Sequence, residues 1–318
     1  MMLTSIGDSF ILAFLNPVVM RKVSLTLFFI YFSAVVGLSQ ATSDNSVLWK
    51  VSGNGLSEPS YLFGIINFLP ASGFSIPPEV EAAMEQCKVF ATKNLLNKTS
   101  KKRFSDAVKI PNNGWINDYL SDDELNQLRL LLLLDYEVKE HVYHDYYSRL
   151  QPIILVTSTA ALHLGDDIVY TEELLSDMAR KYRMKNEELG SIEEEIEAFK
   201  QFPIDDQVNA LKYTVNNFYE HLADFDAMVK AYLEEQDLKK VKDETFKATN
   251  ESKSFKKVYY DARVIKWAPK IEGLMKNKAT FLSLGVPYLV GDEGLISLLR
   301  TKGYTVSAMP ATFPKKKL

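Results

Sequence analysis

Few residues in this chain have the chemistry to act on a substrate, and the densest group lies in "EVKEHVYHDYY", residues 137 to 147. His141 and His144 stand three apart, each four residues after a glutamate, Glu137 and Glu140. On a helix that spacing puts imidazoles and carboxylates on neighbouring faces, a pattern able to hold a divalent ion. The order is not the HExxH of zinc peptidases, and a solvated helix face with ordinary glutamate–histidine pairs is the simpler reading. The other two of the four histidines stand alone. His163 follows an apolar stretch and reads as a partly buried, satisfied side chain, and His221 reads as a helix-surface residue. Cys87 is the single cysteine, which excludes an internal disulfide and a thiolate cluster and reads as a small buried apolar residue. No G-x-S-x-G elbow, P-loop or dinucleotide fingerprint occurs. A net charge of −4 gives no electrostatic case for a nucleic-acid partner.

The elements that must position these groups divide into strand-like ends and a helical middle. "VLWKVSG" (47 to 53) and "SYLFGII" (60 to 66) are strands around the turn residues "NGLSEP", which predicts a hairpin. The second of these runs meets Gly64 and ends on Asn67, a polar side chain at a strand end. "PPEVEAAMEQC" (77 to 87) opens on prolines and predicts a helix, and "KVFATKN" (88 to 94) returns as a strand. Strand, crossover helix, strand implies a parallel component in the sheet. From about 115 to 277 the pattern is almost wholly helical. Within it, "LRLLLLLDY" and "LQPIILVTSTAALHL" read as buried helices, a long run from Pro203 to about Lys247 has apolar residues recurring at three and four, and Pro269 marks a kink or restart. "ATFLSLG" (279 to 285), "GDEGLISLLRTKG" (291 to 303) and "YTVSAMP" close the chain as strand, helix and strand.

Ahead of this body, Met20, Arg21 and Lys22 precede an apolar run at 23 to 38 and the small, polar "SQATSDN". That is the layout of a secretory signal peptide cut near Ala41, with residues 1 to 19 lying upstream of the initiating Met20. The run is short for a full membrane span, and no second one follows it. The expected product is exported, periplasmic or extracellular, with no stable span after cleavage and a single domain over 42–318.

Two blocks, "LWKVSGNGLSEPSYLFGIINFLP" (48 to 70) and "FLSLGVPYLVGDEGLISLLRTKGYTV" (281 to 306), resemble the TraB/GumN family, related to the Tiki metalloproteases. Members read like "LWKI.GNG…SYLFGTIHLLP" and "F.AVGAGHL.GEDGLI.LLR.KGYTV". Between the blocks, "LGSIEEEIEAF" (189 to 199) is similar to the family's "LETVEEQL", and "DARVIKWAPKIEGLM" (261 to 275) to its "ERN..W.PKI..LL". The resemblance implies an α/β fold: a central mixed sheet formed by the two ends of the chain and covered by the helical middle. It also implies two Gly-x-x-His turns whose histidines converge with glutamates on a divalent ion, Mn, Co or Zn, for peptide hydrolysis.

The ligand positions do not carry those residue types. Asn67 stands at the first histidine, after Gly64, and Tyr288 at the second, after Gly285. Ala91 or Thr92 falls at the strand glutamate and Gly190 at the acid of "LET". Arg263 is kept, whereas Ala262 and Val264 replace its flanking Glu and Asn. An amide oxygen and a phenol of ordinary pKa near 10 do not replace imidazoles. The expectation is therefore a catalytically inactive relative, without a cofactor, whose cleft binds a peptide or protein partner. The alternative is a metal-dependent hydrolase that has rebuilt its site, for instance around His141 and His144.

Overall fold

Residues 45–95, 97–249 and 253–314 are described by a computed structural model. The expected signal segment and the expected cleavage point near Ala41 lie outside the described residues.

The hairpin forms as its turn chemistry requires. Gly53, Asn54 and Gly55 all have positive φ, at 77°, 46° and 81°, a run that glycine and asparagine accept with little strain. It joins β1 (Leu48–Ser52) to β2 (Ser60–Ile65) in antiparallel register, with Leu48 opposite Phe63. Further on come β3 (Phe68–Pro70), β4 (Val89–Thr92), β5 (Ile168–Tyr170), β6 (Lys185–Glu188), β7 (Thr280–Gly285) and β8 (Thr305–Met309). The main sheet has the order β6-β4-β7-β2-β1-β8. Its first four strands are mutually parallel, and β1 and β8 close the far edge antiparallel. The fold is thus the expected mixed α/β arrangement, with strands from both ends of the chain in one sheet.

β2, β4 and β7 are buried almost throughout, which is why their sequences are apolar on both faces. Alternation sorts them into two cores. Phe63, Phe90 and Phe281 stack across three strands on one face, with ring centroids 6.2 and 6.4 Å apart, beneath the helices Pro78–Glu85, Thr171–Lys181 and Leu238–Phe246. Leu62, Ala91 and Leu282 point the other way, against Trp267 and Ile271 of helix Ala262–Asn277 and Leu295 and Leu299 of helix Leu295–Thr301. A third cluster, including Ile116, Leu128, Leu155 and Leu211, belongs to the helical middle alone.

The middle departs from the expected almost wholly helical pattern in several places. β6, "KNEE", adds an edge strand to the main sheet, and β5 pairs with β3. Neither was legible, because β6 is polar along its length, with three of its four residues charged, and β5 has three residues. The run from Pro203 breaks at Asn217 and at Gln236, which has a φ of 52°, giving helices Ile204–Asn216, Phe218–Lys230 and Leu238–Phe246. "LRLLLLLDY" widens into a π-turn at Leu131–Asp135 and leaves Leu130 and Leu134 exposed, so only part of it is buried. Helix Ala262–Asn277 runs through Pro269 without restarting.

Candidate functional site

Parallel strands deliver their carboxyl ends to one edge, where α/β proteins commonly bind ligands. Here the ends of β2, β4 and β7 open onto a cavity of about 290 Å³ roofed by helices Pro152–Leu164, Phe218–Lys230 and Leu238–Phe246. Asn67, Gly285 and Tyr288 all line it, so the two turns at which the resemblance implies histidines face one space. Thr92, Lys93 and Glu172 complete this end, with the Thr92 hydroxyl donating to Glu172 Oε1 at 2.5 Å. Ile153, Val156 and Ala160 also line the cavity, which explains why their helix is apolar nearly all round while burying only one face in the core.

Tyr288 sits in the first turn of helix Val286–Leu289, started by Pro287, and is 4% exposed. Its ring lies 4.8 Å from that of Tyr260 and 5.1 Å from that of Trp267. Its hydroxyl accepts a hydrogen bond from Arg263 Nη1 at 2.9 Å. Arg263, 6% exposed, lies over the Trp267 ring at 4.5 Å and donates through Nη2 to Glu195 Oε2 at 2.5 Å. Glu195, 1% exposed, also accepts from Lys93 Nζ at 3.0 Å, Asn94 Nδ2 at 3.3 Å and the Tyr259 hydroxyl. Every lone-pair direction of this carboxylate is taken.

The electrostatics follow from that coordination. Burial pushes the Glu195 carboxyl up, but the charges of Lys93 and Arg263 and the Tyr259 hydrogen bond outweigh it and leave the pKa at about 2. Burial pulls Lys93 down, and the neighbouring Glu195 more than reverses this, so Lys93 stays cationic. Burial drives the Tyr288 phenol well above its ordinary value, and Tyr260 up to about 12. The group holds two fixed cations, one fixed anion and neutral phenols near pH 7. It supplies no free base and no ionisable nucleophile.

The remaining expected positions fall as follows. Gly64 lies inside β2, where its carbonyl accepts from the Tyr232 hydroxyl at 2.7 Å. A Cβ there would come within 3.1 Å of Leu238 and Leu289, so this glycine lets two helices pack closely. Ala91 is buried against the opposite core, and of the two candidates at that strand position Thr92 faces the cavity. Gly190 is buried, and a Cβ on it would meet Trp267 Nε1 at 3.0 Å and Glu194 Oε2 at 2.7 Å, leaving little room for an acidic side chain. Gly64, Ala91, Gly190 and Arg263 are not part of the cavity wall.

His141 and His144 are exposed on helix Glu140–Asp145 and do not line the cavity. His163 is exposed rather than partly buried. His221 corrects the surface reading: it is half-buried and lines the cavity, together with Asp224, Glu244 and Lys247. Among the described residues no group of three or more His, Cys, Asp or Glu is placed to hold a metal ion. Sequence reasoning missed Lys93 and Glu195. Glu195 did leave a signal, since Ile192, Glu195 and Phe199 recur at helical spacing and put a carboxylate on the apolar stripe.

Fold and site together define an α/β protein with a cavity at the carboxyl ends of parallel strands, whose lining residues Lys93, Tyr259 and Tyr288 are tied to a buried ion network behind the wall. The TraB/PrgY/gumN family profile matches residues 47–308, and the chain belongs to that family. No curated protein and no solved structure matches it.

Proposed function

We propose that this chain is a non-hydrolytic member of the TraB/PrgY/gumN family that binds a peptide or protein partner in its cavity. One observation carries the reading: Asn67 and Tyr288 line one cavity, and the Tyr288 hydroxyl is engaged by a guanidinium that is itself paired with Glu195. A divalent ion does not fit this donor set. An amide and a neutral phenol are poor donors, Glu172 is the single carboxylate lining this end among the described residues and already accepts from Thr92, the buried Glu195 is fully coordinated, and Lys93 and Arg263 repel a second cation.

The competing hydrolase reading rests on His221 beside Asp224 and Glu244 on the same wall. It requires three donors converging on one ion, which this group does not provide among the described residues. Export belongs to the same proposal and rests on the pattern at 20 to 41. No helix among the described residues is long and apolar enough to cross a membrane.

Incubating the purified chain with a pool of unstructured peptides and Mn, Co or Zn, followed by mass spectrometry, tests the function. Peptides retained intact are the expected result. Metal-dependent, catalytic cleavage that persists through repurification would reverse it.

A further inference from the structure

The cavity is polar at both ends, and the end away from the sheet has a composition of its own. It is built from Phe218–Lys230, which supplies His221 and Asp224, and from Leu238–Phe246 and the turn after it, which supply Glu244 and Lys247. Lys247 Nζ lies 2.5 Å from Asp224 and 3.8 Å from Glu244 Oε2. One ammonium thus serves two carboxylates, and the group carries a net negative charge. Two acceptors on this wall, His221 Nε2 and Glu244 Oε2, are buried and have no hydrogen-bond donor. Buried polar atoms in folded proteins are nearly always partnered, so two unpaired acceptors beside a surplus carboxylate call for a donor that carries positive charge. Burial keeps His221 largely neutral near pH 7, against the opposing pull of a hydrogen bond to the Val156 backbone, so Nε2 retains its lone pair. Between this end and the sheet the wall is apolar, through Phe225, Met228 and Val241.

We propose that His221 and Glu244 form a subsite for a primary ammonium group carried on an apolar chain. Resting on the peptide-binding reading above, this names a lysine side chain or a free peptide N-terminus as the group recognised. Thr157 and Thr245 are uncharged, so among the described residues lining this end Lys247 is the single cation, and Lys93 stands at the sheet end.

The test titrates the purified chain calorimetrically with n-octylammonium and with octanoate at one ionic strength. Octylammonium is expected to bind saturably and about tenfold more tightly than octanoate, and Glu244→Gln to remove about that factor, as for a hydrogen bond to a charged group. Equal affinity for the two probes, no saturable ammonium binding, or an unchanged preference in Glu244→Gln would each overturn the proposal. Because the two probes are compared on the same wild-type protein, the result does not depend on how the variant folds. A lysine-free peptide with a free N-terminus and an N-acetylated peptide with one lysine then identify the source. Peptides that bind equally when all their amines are acetylated would sink the ammonium subsite and leave non-hydrolytic peptide binding standing.

Discussion

Glu195, behind the cavity wall, ties together its lining residues Lys93 and Tyr259, and its energetics make the account testable one residue at a time. Arg263 and Lys93 lose their counter-ion if the carboxylate is neutralised, and Arg263 has almost no water to turn to. Glu195→Gln keeps the shape and removes the charge, and is expected to destabilise the fold by roughly 3–5 kcal/mol in denaturant unfolding. The folded pKa of about 2 lies below the ordinary carboxyl value of 4.5. A depressed folded pKa means stability that is fully present above about 4.5 and fades as pH falls toward 2, on the order of 3 kcal/mol in all. Unfolding followed across that window should show the loss in wild type, and Glu195→Gln should lack that component. At this scale the sequence was partly legible. Asn67 and Tyr288 stand out because their turns are otherwise intact, whereas Lys93 at the end of β4 carries no local pattern that marks a buried ion pair.

At the level of elements, glycines at the two turns have different work. At Gly64, helices Leu238–Phe246 and Val286–Leu289 press on β2, and a side chain would push against Leu238 and Leu289 at 3.1 Å. Gly285 is roomier, since a Cβ there would make ordinary contact with the Tyr288 ring at 3.6 Å. Gly64→Val is expected to cost about 1–3 kcal/mol by overpacking, and Gly285→Ala less than about 1 kcal/mol, both read from denaturant midpoints. The reverse order would mean that the helices do not seat on β2 as described. The hairpin and β7 were legible because apolar runs bounded by glycine and asparagine leave little choice. The charged edge strand β6 and the π-turns at Leu131–Asp135, Ala231–Glu235 and Lys256–Asp261 were not, since tertiary pairing and side-chain crowding decide them.

For the molecule as a whole, topology brings distant residues together. Parallel pairing of β2 and β4 with β7 sets Asn67, Thr92 and Tyr288 around one cavity, although they span most of the domain. The family was readable from the two end blocks, and the mixed sheet follows from them. His221 was not readable as a wall residue, because its facing depends on where helix Phe218–Lys230 lands across the sheet edge. The proposed function requires that this scaffold hold an internal ion network and no tightly bound metal. Elemental analysis of the purified chain after incubation with Mn, Co and Zn and removal of free ions tests it directly. Far less than one ion per chain is the predicted result, and one tightly held ion per chain would contradict the account.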